Sequence, residues 1–198
     1  MGPSYGCDLA DIGLGPVAQK HVETCPVEMA GYMIYRDDCF ELLMKGEKDL
    51  PEYLDHLDGL HPNIKWETKY GRDGVYLDPH LRIKNGRIES KIFHKSEPIY
   101  LPPNSCHDRA VFRGLYKPVG LRLRLNNSED SEFDKAVETY SKAFAISGHN
   151  YQKVKTALML SKKIDRIQYL KKEPQRNNYR RRNKSIKNYI GLPSMTLA

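Results

Sequence analysis

The sequence predicts an α+β protein, and three observations carry that expectation. Two short apolar runs flank a polar turn near residue 36, and two alternating runs flank Asn85-Gly86, the pair that most favours a two-residue hairpin. From Cys106 to Leu170 the apolar residues instead recur at helical spacing. Composition agrees with a folded chain: of 198 residues, 39% are hydrophobic and 10% aromatic. That is enough to bury a core in one or two domains, and too many aromatics for global disorder.

Taken in order, residues 8–22 read as an interrupted helix. Leu9, Ile12 and Val17 recur near helical spacing, while Gly13, Gly15 and Pro16 weaken it. The runs 30–35 and 39–44 around Arg36-Asp37-Asp38 read as a hairpin. Leu50, Leu54, Leu57 and Leu60 predict a helix over about 49–60, with Pro51 in its first turn and His61-Pro62 ending it. Ile64, Trp66 and Thr68 alternate, which predicts a strand over 63–70. Residues 75–84 and 87–94 are the strands beside Asn85-Gly86.

After Pro102-Pro103 the pattern turns helical. Phe133, Val137, Tyr140 and Phe144 form one stripe, with Ser131 and Asp134 as expected caps and Gly148 as its end. Val154, Leu158 and Ile164 predict another helix, and the periodicity fades from Glu173. The expected division is therefore an α+β part over 1–105, a helical part over 106–172, and a basic flexible tail over 173–198.

Charge and cysteine content narrow the classes. The formal net charge is +7, and the segment 162–187 holds eleven Lys and Arg against Asp165 and Glu173. The rest of the chain is thus slightly acidic, and the basic run reads as a polyanion binder, a solvated end or an import signal. Cys7, Cys25, Cys39 and Cys106 show no C-x-x-C spacing, so they read as ordinary reduced thiols. No apolar run approaches the ~18 residues of a membrane span, so no membrane partner is expected. The N-terminus lacks the pattern of a signal peptide.

The informative motif is Tyr35-Arg36-Asp37-Asp38 on its hairpin. Two adjacent carboxylates on a turn repel each other, although Asp is also an ordinary turn residue. The pair becomes favourable when a divalent cation sits between the two groups, because Mg²⁺ takes hard oxygen ligands and keeps waters for substrate phosphates. Two such ions can clamp the attacking and leaving oxygens of a phosphoryl transfer.

Tyr35-Arg36-Asp37-Asp38 resembles the Tyr-x-Asp-Asp box, motif C of the reverse transcriptase palm, in the form found in Penelope-like retroelements. Met1-Gly2-Pro3-Ser4-Tyr5 and Ala10-Asp11-Ile12-Gly13-Leu14-Gly15 are similar to the end of that family's motif B. His61-Pro62-Asn63-Ile64-Lys65-Trp66, Leu77-Asp78, Asn85-Gly86-Arg87-Ile88-Glu89 and Ser105-Cys106-His107 resemble its later palm. Leu121-Arg122-Leu123-Arg124 and residues 133–148 resemble its helical thumb, described as a helix-turn-helix segment. The likeness runs in the family's order over about 1–160.

The resemblance implies a partial palm followed by an all-helical thumb-like region. It implies an RNA-directed DNA polymerase fragment that transfers nucleotides with two metals, Mg²⁺ or Mn²⁺, held by Asp37 and Asp38. Lys65 matches a lysine that assists the leaving pyrophosphate, and equally reads as a plain strand-face lysine. Tyr35, Pro3 and Ser4 would lie beside nucleotide and template. Arg122 and Arg124 would touch the nucleic-acid backbone, as would Arg180, Arg181 and Arg182 of the basic tail, or else be solvent-facing charges. The partners implied are an RNA template with a DNA primer, and deoxynucleotide triphosphates once a fingers fragment completes the site. An intracellular location follows from the same resemblance, with the nucleus suggested by the tail.

The departures set an expectation too. The family's first catalytic aspartate and its fingers have no match here, so the fragment is expected to bind metal weakly and to be inactive alone. The alternative is a non-catalytic nucleic-acid-binding module that uses the thumb helices and the tail. A relic reading frame with no selected role is the third reading.

Overall fold

The computed structural model describes residues 6–44 and 47–171. They form two compact units, one ending at Tyr70 and one beginning at Gly71. Both are small α+β assemblies with antiparallel sheets, in agreement with the expected class.

The first unit begins with α1 (Gly6–Thr24), continuous through Pro16. A mid-helix proline usually breaks a helix. Here the inner face decides, because Val17, Ala18 and His21 are buried on it. The hairpin is β1 (Met29–Tyr35) with β2 (Asp38–Leu43). Tyr35 faces Asp38 across a two-residue turn of Arg36 and Asp37. Arg36 adopts φ 57°, the left-handed region that such a tight turn demands of its first residue. Helix α2 (Leu50–Gly59) follows, with a proline in its first turn. Tyr53, Leu57 and Leu60 bury against Val17 and Val27 to make this unit's core.

Residues 63–70 correct one expectation. They form no strand. Ile64 and Trp66 do alternate inward, but they dock by side chains onto the core of α1 and α2. Periodicity of two marks an extended chain with one buried face, and it does not by itself provide a ladder partner.

The second unit opens with a three-stranded sheet, ordered β3 (Asp73–Val75), β4 (Pro79–Lys84), β5 (Arg87–Ile92). Asn85 and Gly86 take φ 51° and 72°, as a primed hairpin turn requires. The strand expected over 75–84 is split. Leu77 has φ 54° and Pro79 opens β4 two residues on, so the chain reverses between β3 and β4 and the two pair antiparallel.

Helices α3 (Arg109–Gly114), α4 (Tyr116–Asn126), α5 (Asp130–Ile146), α6 (Tyr151–Met159) and α7 (Arg166–Lys171) complete the unit. The stripe of Phe133, Val137, Tyr140 and Phe144 is buried, and Leu123, Val154 and Leu158 pack with it. Gly148 ends α5 as expected, with φ 91°. His149 N–H donates to the Phe144 carbonyl and Gly148 N–H to that of Ala145, the paired bonds of a Schellman ending. The expected caps fail. Helix α5 starts one residue before Ser131, its cap residue is Glu129 without a side-chain bond, and Asp134 instead accepts from Lys162. Ile164 lies beyond α6, after a 3₁₀ turn.

The α4–α5 connection seals β5. Asn127, buried, accepts from the Ile92 N–H at 3.1 Å and donates to the Leu123 carbonyl at 2.7 Å. Ser128 N–H donates to the Ser90 carbonyl at 2.8 Å. Residues 71–105 therefore fold together with the helices.

Candidate functional site

Two features could carry chemistry: the hairpin tip of the first unit and a basic groove in the second. The tip is built by the tight turn itself. With only two residues in the loop, Asp37 sits in the turn and Asp38 opens β2, so both carboxylates project from one exposed end. Neither forms an ion pair with a cationic side chain among the described residues. Arg36 is occupied by the Tyr35 ring, with its guanidinium carbon 5.3 Å from the ring centroid. The negative field at this end reaches Cys39. Burial pushes its thiol up, and Glu41, Asp38 and Asp37 add to that. Hard oxygen donors at an exposed tip, with no ion-paired cation on either carboxylate among the described residues, are of the type that Mg²⁺ or Mn²⁺ takes while keeping several waters. No third carboxylate joins the two as a metal-ligand group among the described residues.

Behind the hairpin lies a group that the sequence reading did not single out. His21 of α1 is buried at 1% exposure. Its Nε2 lies 3.0 Å from Glu41 Oε2 on β2, and its Nδ1 lies 3.2 Å from His56 Nε2 on α2. Cys25 follows one turn after His21 and completes a group whose ligand atoms lie within 4.8 Å of one another. Burial, then the neighbouring His21, draws His56 below the usual histidine range. Burial pushes the Cys25 thiol up. The spacing His21-x-x-x-Cys25 was the available signal, whereas the approach of His56 depends on the packing of α1 against α2.

The groove of the second unit, about 930 Å³, runs between the Asn85-Gly86 turn and the segment after α6. Lys84, Arg87, Arg124, Lys162, Lys163 and Arg166 line it, against Glu89, Glu129 and Asp165. Several of these cations are committed. Arg124 donates to the Ile164 carbonyl and to Asp130, and Arg166 to the Leu125 carbonyl and Ser90. Burial, and to a lesser degree the Arg124 charge, pulls the Arg166 pKa down. Arg87 and Lys163 are exposed and form no ion pair among the described residues. Such a surface suits a polyanion.

The other expected residues fall as follows. Tyr35 is exposed beside the acidic pair. Lys65 is exposed on the extended segment after α2, so its expected strand face does not exist. Arg122 is engaged by Asp78 and does not line the groove, whereas Arg124 does. Pro3, Ser4, Arg180, Arg181 and Arg182 lie outside the described residues. No helix among the described residues is long and apolar enough to cross a membrane. Comparisons with protein-family models, curated proteins and solved structures find no match.

Proposed function

We propose that this chain is a palm-and-thumb portion of an RNA-directed DNA polymerase of the Penelope-like type, with Asp37 and Asp38 holding its divalent cations. The observation that carries the reading is the hairpin tip, which presents two adjacent, exposed carboxylates without a paired cation. A divalent ion held there supplies charge stabilisation to a phosphoryl group in transfer. Asp37 and Asp38 fix the ion, and Tyr35 offers a flat face beside it for a base or sugar. The groove cations Arg87 and Lys163 would hold phosphates of the template–primer hybrid, which fixes position without reading sequence. Two carboxylates alone anchor an ion weakly, so catalysis requires a further ligand from another segment or chain.

The test is primer extension on an RNA template with Mg²⁺ and deoxynucleotides, with and without a polypeptide that supplies fingers and a first aspartate. The expected result is extension that needs the added polypeptide and is lost in Asp37→Asn. Extension that survives Asp37→Asn, or none in either mixture, would contradict the catalytic reading. The basic groove favours a second reading, a backbone-binding module without catalysis. It predicts hybrid binding that weakens steeply with salt and is indifferent to Asp37.

A further inference from the structure

We propose that His21, Cys25 and His56 form a zinc site that clips α1 to α2 behind the hairpin, with Glu41 as the carboxylate that orients His21. Nothing in this inference depends on the polymerase reading.

Geometry carries the argument. Zinc holds nitrogen ligands at about 2.0–2.1 Å in a tetrahedron, which places two coordinating nitrogens about 3.3 Å apart. His21 Nδ1 and His56 Nε2 are 3.2 Å apart, already at that separation, and a turn of the two rings away from their mutual hydrogen bond brings both lone pairs onto an ion beside the line that joins them. The Cys25 sulfur lies within 4.8 Å of a ring nitrogen of each histidine and needs to close to about 3.6 Å from each ligating nitrogen. Cys25 follows the last residue of α1 and is only half-buried, so its side chain has room to turn.

The outer partner of His21 is already in place. A carboxylate accepts, so the His21 Nε2–H donates to Glu41 Oε2 at 3.0 Å. That fixes the tautomer and leaves a lone pair on Nδ1, directed at the His56 nitrogen. Carboxylate–histidine–metal order of this kind is the usual support of a zinc ligand. Tyr53 packs against the His21 ring, and burial, then the nearby Glu41, pushes its hydroxyl pKa up. Without metal, the arrangement is one His56-to-His21 hydrogen bond beside a thiol. With metal, the same atoms become three ligands, and a water takes the fourth position on the half-buried Cys25 side.

Atoms balance simply on binding. The Cys25 S–H bond breaks, its proton goes to solvent, and the sulfur–zinc bond forms, since a coordinating thiol is deprotonated by the ion. The His56 proton moves to its other nitrogen. One proton is released per zinc. The ion would tie α1 and α2 together and, through Glu41, brace strand β2.

Co²⁺ added to the tag-free full-length chain is the probe, followed by displacement with Zn²⁺. The expected result is one tightly held Co²⁺ with intense tetrahedral d–d bands and a thiolate charge-transfer band. Cys25→Ser abolishes the charge-transfer band, and Glu41→Gln weakens affinity by about 10–100-fold. Asp37→Asn with Asp38→Asn leaves both spectrum and affinity unchanged. Zn²⁺ raises the melting temperature of the parent and not that of Cys25→Ser. A weak octahedral spectrum, a charge-transfer band that persists in Cys25→Ser, or a parent melting temperature indifferent to Zn²⁺ would overturn the site.

Discussion

Arg122 grips Asp78 through two parallel bonds, Nε at 2.7 Å and a terminal guanidinium nitrogen at 2.6 Å. The pair ties helix α4 to the turn that separates β3 from β4, the one place where the expected long strand is broken. The Asp78 bond raises the Arg122 pKa and keeps the guanidinium charged.

Arg122 is thus expected to act in stability. Both partners are about half-exposed, so the pair is worth about 1 kcal/mol despite its bidentate form. Arg122→Ala lowers unfolding free energy by about that amount. A double-mutant cycle with Asp78→Ala recovers most of the loss as coupling. Hybrid affinity stays within about twofold. Denaturant unfolding and a filter-binding titration check both halves, and a tenfold affinity loss would instead place Arg122 on phosphate.

The groove cations are expected to behave in the opposite way. Arg87→Ala and Lys163→Ala leave unfolding nearly unchanged, since both side chains are exposed and without ion pairs among the described residues. Each weakens hybrid binding and lowers the slope of log affinity against log salt by about 1. Binding measured over a range of salt concentrations reads this directly. An unchanged slope in both variants removes the groove as the interface.

Packing of the helices makes Gly120 intolerant of a side chain. A Cβ there would stand 2.6 Å from Ser161 Oγ, 3.1 Å from the Leu158 carbonyl oxygen and 3.3 Å from its Cα. The hydroxyl can turn away, but the backbone of α6 cannot. Gly120→Ala therefore costs about 1–3 kcal/mol even though alanine favours helix. Phe133→Ala, at the centre of the same core, costs about 3–5 kcal/mol. Equilibrium unfolding in urea measures both.

Glu138 provides a pH signature. A bond from the Tyr151 hydroxyl, then one from Lys155, holds its carboxyl at about 2, down from 4.5. A depressed carboxylate stabilises the fold above its unfolded value, and that contribution is lost as pH falls from about 4.5 toward 2. An NMR titration of the Glu138 side chain should show the low midpoint, and Lys155→Ala should move it upward. A midpoint near 4.5 in the parent would dismiss the network.

What the sequence made legible was local. The hairpin around residue 36, the tight turn at Asn85-Gly86, the α2 leucines, the α5 stripe and the Gly148 ending all follow from chemistry within a few residues, whereas Asp38, read as part of the first turn, opens β2. What it hid was decided by partners distant in sequence. Residues 63–70 have the alternation of a strand and no ladder. Asp134 looks like a cap and pairs with Lys162 of a later turn. Arg122 and Arg124 look alike in their helix, yet one faces Asp78 and the other the groove. The acidic tip was readable because two carboxylates are adjacent in the chain, whereas the histidine–cysteine group joins residues 21, 25 and 56 only on packing.

Asp37 and Asp38 are proposed to hold a divalent cation at the primer end. The most direct measurement replaces Mg²⁺ with Fe²⁺ in a complex of the chain, the polypeptide that supplies the first aspartate and a labelled RNA–DNA hybrid, adds hydrogen peroxide, and maps cleavage by the hydroxyl radicals formed at the ion. Cleavage is expected to centre on the primer 3′ end and to be lost in Asp37→Asn and in Asp38→Asn while hybrid binding persists. Cleavage spread evenly along the hybrid, or a focus unchanged by both substitutions, would contradict it.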